Sequence, residues 1–209
     1  YELWWAIWHS LNDRNFFELV HALTRHQGFV EQFVPLTFVG NHDVTRIASR
    51  LEDPRLLDHA LVVLLTVAGT PCLYAGDERA FRGVKEDRAG GDDAVRPAFP
   101  ADPAQLAFGA AVLDRHRELI ALRRRHPWLH RAVTTVTSVT NEQLVYTSTA
   151  GEHRLVLALK IADDDAHLEL PAPGSTEQTG LTVLAGDGEP DGDTGLRVPG
   201  TGWVVLGEA

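Results

Sequence analysis

A short apolar run, Val34-Pro35-Leu36-Thr37, passes into Phe38-Val39-Gly40 and stops on an amide, an imidazole and a carboxylate, Asn41-His42-Asp43. Three adjacent polar groups cannot lie unpaired inside a buried strand, because each would lose its water. Just past the C-terminal end of a strand they can point into a pocket instead. In a parallel α/β barrel that end carries the chemistry. The trio therefore constrains both the fold and the place where a site would lie.

The flanking pattern fits such an arrangement. Leu3, Trp4, Ile7, Trp8, Leu11, Phe16, Leu19, Val20 and Leu23 recur at three- and four-residue intervals. This spacing predicts one amphipathic helix from the start to about residue 25, with Gly28 as its stop. Asp53-Pro54 supplies an N-cap and first-turn proline for a second helix through Leu57, Leu61, Leu64 and Leu65. Gly69-Thr70-Pro71 breaks that helix, and Cys72-Leu73-Tyr74-Ala75 reads as a short strand. Helix, strand, helix, strand is the rhythm of parallel α/β units.

A long polar segment occupies 76–101, and loops beyond about 12–15 residues are uncommon and often functional. Asp102-Pro103 then caps a further expected helix with Leu106, Val112, Leu113, Leu119, Ile120 and Leu122, ended by His126-Pro127. After Arg131 the character changes. Short runs at 132–140, 144–147, 154–161, 168–170, 181–184 and 203–206 are separated by Gly, Asp and Pro, the pattern of an antiparallel sandwich. We expect an α/β region over 1–130 and an all-β region over 131–209, with no internal repeat.

Composition excludes several function classes. A net charge of −10 makes the chain a poor partner for nucleic acid, whose phosphates need Lys/Arg-rich surfaces. No apolar run approaches the ~20 residues that cross a bilayer, so no membrane partner is expected. No signal-peptide pattern opens the chain. With Cys72 alone there is no internal disulfide. No compartment is specified, and the expectation leans to the cytoplasm. The lack of Met and a start at Tyr1 within a helical pattern lead us to expect a segment of a longer protein.

Taken alone, His42-Asp43 also reads as a turn in which Asp43 caps the next helix and His42 satisfies a loop carbonyl. A His-Asp metal site would need further ligands; His9, His21 and His26 are available, but their spacing does not single them out. The wider pattern is more specific. Phe38-x-x-Asn41-His42-Asp43, a helix, and then Gly69-Thr70-Pro71-Cys72-Leu73-Tyr74-Ala75-Gly76-Asp77-Glu78 resembles the α-amylase superfamily, glycoside hydrolase family 13. The later Arg96-Pro97-Ala98-Phe99-Pro100 is similar to that family too. The resemblance implies the C-terminal portion of a (β/α)8 TIM barrel, with the trio ending the seventh strand, followed by a small antiparallel β-sandwich.

The resemblance also implies a retaining α-glycoside hydrolase acting on α-glucans or malto-oligosaccharides. Asp43 would be the catalytic carboxylate that favours the oxocarbenium-like transition state, and His42, Asn41 and Arg96 would bind substrate. The nucleophile Asp and the acid/base Glu would lie upstream, in the missing N-terminal part of the barrel that acts as this segment's partner. The isolated chain would then be inactive. No cofactor or metal is implied within these residues, and the family's calcium ion would belong upstream. A transglycosylase of the same superfamily and a non-catalytic binding subunit are the alternatives.

Other positions carry narrower expectations. Arg96 follows the acidic pair Asp92-Asp93 and also reads as a solvated loop salt bridge. Arg46 either braces the loop after Asp43 or faces water. Asp77-Glu78 is expected to pack and cap the barrel rim. Gly40 stands where many amylases carry an acidic residue. The stretch Asp187-Gly188-Glu189-Pro190-Asp191-Gly192 lacks the bidentate Glu of a calcium loop, Val198 standing in its place, and reads as an acidic hairpin turn. Trp4 and Trp8 are expected in the core, with Trp5 off the stripe.

Overall fold

The computed structural model describes residues 1–98, 100–102, 106–170, 181–191 and 195–208. The first apolar stripe folds as two helices rather than one, α1 (Glu2–Asn12) and α2 (Phe16–Val30), packed on each other. The break falls at Asp13-Arg14-Asn15, where Arg14 takes a left-handed φ of 51°. Asn15 then caps α2 by accepting a hydrogen bond from the Phe17 amide. Asp and Asn favour such local bonds over helix interiors, which the apolar spacing alone does not register. Gly28 does not stop α2. A lone glycine costs about 1 kcal/mol in a helix, and Val30, buried two residues later, keeps the chain helical.

The strand β1 (Leu36–Phe38) follows, then the one-turn helix α3 (Ile47–Arg50). Asp53 caps the next turn as expected, its carboxylate accepting from the Arg55 amide at 3.0 Å. That turn leads into α4 (Leu57–Thr66), which is buried along its length. Strand β2 spans Thr70–Cys72, two residues earlier than the expected 72–75. It pairs in parallel with β1, Leu36 opposite Thr70 and Phe38 opposite Cys72. Gly69 sets this register: its φ of 116° and its approach to the Pro35 carbonyl leave no room for a Cβ.

Helix α5 spans Ala110–Arg125 and does not start at Asp102. Leu106 lies before it, and Pro103 lies outside the described residues. Gly109, with φ of 70°, passes so close to Arg79 that a Cβ would sit 2.2 Å from the Arg79 carbonyl oxygen. The chain therefore turns helical only after that crossing.

The remainder forms two antiparallel sheets. Strands β3 (Val133–Val139), β4 (Gln143–Ala150), β5 (His153–Lys160), β6 (Ala166–Glu169), β7 (Thr182–Gly186), β8 (Glu189–Asp191), β9 (Gly195–Val198) and β10 (Trp203–Gly207) follow in chain order. The larger sheet runs β3-β4-β5-β10-β7 and the smaller β6-β9-β8. Strands β8 and β9 have no counterpart among the expected runs. Every residue of β8 is exposed and one is Pro190, so neither period nor propensity marks it; pairing with β9 creates it. The acidic stretch expected as a turn is thus partly strand, and its Gly192 lies outside the described residues.

Strand alternation sorts the core into two layers. Val145, Val156, Ala158, Val204 and Leu206 face Ala166, Leu168, Leu196 and Val198 between the sheets. Tyr146, Leu155, Leu157, Leu159 and Val205 belong instead to a cluster shared with Leu61, Leu64, Leu119 and Leu122 of α4 and α5. Polar groups seam the same junction. His59 Nε2 lies 2.8 Å from the Lys160 carbonyl and 3.1 Å from that of Gly202, so this nitrogen carries the proton. Arg123 donates to the carbonyls of Leu65, Val67 and Gly69 at the end of α4. Among the described residues no helix is long and apolar enough to cross a membrane.

Candidate functional site

Beyond Phe38, Val39 and Gly40 are still buried, and the chain then turns outward. The Asn41 side-chain oxygen accepts from the Asp43 amide at 2.8 Å, closing an Asx turn. Its amide nitrogen donates to the Tyr1 hydroxyl at 3.2 Å. The turn leaves the side chains of His42 and Asp43 open, at 64% and 45% exposure, with His42 Nε2 3.4 Å from Asp43 Oδ2. Asp43 does not cap the next helix: α3 has no side-chain cap.

Arg96 arrives from the long polar loop and closes the group. It donates to Asp43 Oδ1 at 3.0 Å and to the His42 carbonyl at 2.9 Å. It also pairs with Asp92 at 2.6 Å, and Asp92 pairs with Lys85 at 2.8 Å. Asp43, Arg96, Asp92 and Lys85 thus alternate in charge. The Lys85 ammonium, then the Arg96 guanidinium, hold the Asp92 carboxyl below the usual carboxylate range. The structure brings Asn41, His42, Asp43 and Arg96 onto one surface. Lys85 and Tyr1 went unread in the sequence, whose one hint was the long polar loop.

Arg46 does not face water. It is 2% exposed and pairs with Asp77, also 2% exposed, at 2.8 Å. Its Nε donates to the Val95 carbonyl at 3.0 Å and its Nη1 to that of Ala75 at 2.8 Å. The guanidinium lies 4.0 Å from the Tyr74 ring centroid. Burial pushes the Asp77 carboxyl up to about 6, against the pull of Arg46. Gly40 lies against this pair: a Cβ there would sit 2.1 Å from Asp77 Oδ2. Glu78 accepts from the Gly76 amide at 2.8 Å.

The remaining candidates separate from the site. His26 bonds the Ala68 carbonyl, and His9 pairs with Asp13 and Glu18. Among the described residues no group of His, Cys, Asp or Glu could hold a metal ion. Trp5 is partly exposed and stacks on His9, with ring centroids 4.2 Å apart. Trp4, buried, lines a shallow hollow beside Asp43 with Val44, Thr45, Arg50 and Lys85.

What gathers here is a solvent-facing carboxylate and imidazole just past the end of a parallel strand, with a guanidinium paired to the carboxylate. Such a group can accept hydrogen bonds from neighbouring hydroxyls and donate to them. A family model described as the alpha amylase catalytic domain matches residues 7–120. A maltogenic alpha-amylase of Bacillus acidopullulyticus is 33% identical over 126 residues, 58% of this chain and 20% of that protein. A cyclomaltodextrin glucanotransferase of Bacillus sp. strain 17-1 is 27% identical over 124 residues, 59% of this chain and 16% of its own length. The structure of an alpha-amylase from H. orenii superposes with a TM-score of 0.79 at 16% identity, covering all of this chain and 48% of that one. The chain belongs to the alpha-amylase family, glycoside hydrolase family 13. It spans about half of that solved structure and a fifth or less of those two relatives.

Proposed function

We propose that this chain is part of a retaining hydrolase of α-glucans or malto-oligosaccharides, and that Asp43 is its transition-state carboxylate. In this reading residues 1–130 supply the last strands and helices of a (β/α)8 barrel, and 131–209 form a β-sandwich domain. One observation carries it: in a member of the alpha-amylase family, Asp43 and His42 stand open to solvent just past the C-terminal end of a parallel strand, on a pinned turn.

The chemistry follows from the positions. As the glycosidic bond breaks, positive charge develops on the sugar ring, and a fixed carboxylate stabilises it, the more so once bound substrate displaces the water around it. Asp43 is that anion, and it also accepts hydrogen bonds from ring hydroxyls. His42 offers a donor and an acceptor to adjacent hydroxyls, Asn41 sets the turn, and Arg96 is the counter-charge of Asp43. Retention needs a nucleophile and an acid about 5–5.5 Å apart. We assign both to barrel segments outside this chain, so the 209 residues alone do not hydrolyse glucosides.

In the complete enzyme that carries this chain, Asp43→Asn is expected to lower turnover on a malto-oligosaccharide by about 10²–10³-fold at unchanged melting temperature. Near-normal turnover would overturn the role of Asp43. A second reading, glycosyl transfer in place of hydrolysis, is favoured by the glucanotransferase relative. It is decided by whether the products from malto-oligosaccharide include chains longer than the substrate.

A further inference from the structure

We infer that Arg46, with Asp77 as its counter-charge and Gly40 as its required neighbour, is the positioning residue that sets Asp43 and Arg96 against each other. The inference rests on the reading of Asp43 given above. Arg46 follows Asp43 by three residues and Val95 directly precedes Arg96, while Ala75 and Asp77 follow β2. One planar guanidinium therefore ties together the exits of both parallel strands and the long loop. Its donors reach Val95, Ala75 and Asp77 at 2.8–3.0 Å. Its backbone amide donates to the Gly83 carbonyl at 3.0 Å. The Tyr74 hydroxyl, from the ring beneath it, donates to the same Val95 carbonyl at 3.3 Å.

Two physical points make this a device of geometry rather than of stability. A buried ion pair loses in desolvation much of what it gains by attraction, so its retention is poor evidence of a stabilising role. The Asp43–Arg96 pair, by contrast, is exposed, and such pairs are too weak in water to fix their own positions. The buried node beneath must fix them. Arg rather than Lys is needed, because only the fork can meet three acceptors in one plane.

Gly40 supplies an independent observation. Any side chain there would displace the Asp77 carboxylate, whose Oδ2 accepts no hydrogen bond from the described residues. The glycine directly before Asn41 is thus explained by Asp77, not by backbone freedom.

The test uses the complete enzyme and two readouts, hydrogen exchange over 83–98 and steady-state kinetics on a malto-oligosaccharide. Arg46→Lys is expected to speed exchange in that segment about ten-fold while α4 stays protected. It is also expected to lower kcat about 10²-fold with KM within about 3-fold, as a small misplacement of a reacting group does. Uniformly faster exchange including α4, with kcat per folded molecule unchanged, would overturn the inference. Gly40→Ala should reproduce the local exchange effect and add nothing in an Asp77→Ala background, where the carboxylate is gone. Fully additive effects would remove Gly40 from the device. Asp43→Asn separates the two readings: if it keeps activity while Arg46→Lys still loosens 83–98, the role of Asp43 has failed and the positioning node stands.

Discussion

The parallel and antiparallel regions of this molecule solve the problem of burial in opposite ways. Strands β4, β5 and β10 are covered on both faces, with Leu155, Leu157 and Leu159 in one apolar layer and Val156 and Ala158 in the other. Strands β1 and β2 are three residues each, and of these only Thr37 is buried. Leu36 is 65% exposed, beside exposed Tyr1 and Phe29. A two-stranded sheet is marginal by itself, and unpaired edges remain open to another strand. The antiparallel strands thus carry apolar layers on both faces, which β1 and β2 lack. The site follows the thinner pair of strands and stands above the buried Arg46–Asp77 pair.

This contrast can be broken by experiment. The largest expected effect is in the antiparallel core, where Leu157→Ala should cost about 2–5 kcal/mol in urea unfolding. Leu36→Ala should stay within about 0.5 kcal/mol, and equal losses would erase the distinction. At the junction, Arg123→Ala strips its partner from the carbonyls that end α4, and a loss of about 1.5–3 kcal/mol is expected. An unchanged midpoint there would mean that the two regions do not depend on this seam.

The pH dependence gives a smaller effect. Burial holds the His59 and His26 imidazoles below their usual value. The unfolded chain binds these protons as pH falls through about 6.5, while the folded chain resists. Their contribution is complete above that pH and declines below it, by up to about 1.4 kcal/mol per pH unit for each proton. Unfolding free energies measured between pH 7.5 and 5.5 should show this slope, and His59→Gln should reduce it. Smallest of all, Arg96→Gln removes an exposed ion pair and should change stability by less than about 1 kcal/mol. A loss above about 2 kcal/mol would make the site part of the stabilising framework.

The features legible in the sequence were local ones. Asp53 was recognisable as a cap because its acceptor and the Arg55 amide lie two residues apart. The strand leading to Asn41-His42-Asp43 was legible because an apolar run cannot end on three polar groups except at an exit. The β-rich character after Arg131 showed in residue type alone. The break at Arg14 escaped because both helices share one apolar stripe, and β8 escaped because an exposed, proline-bearing strand has no signature of its own.

The sequence by itself determined that a carboxylate, an imidazole and an amide leave a strand together, since covalent order and desolvation leave them no other place. Only the tertiary structure decided what holds them. Arg46 could equally have faced water by its local pattern. Its partners Ala75, Asp77 and Val95 lie 29, 31 and 49 residues away, and contacts over such distances come from the packing of the whole chain rather than from any short stretch of it.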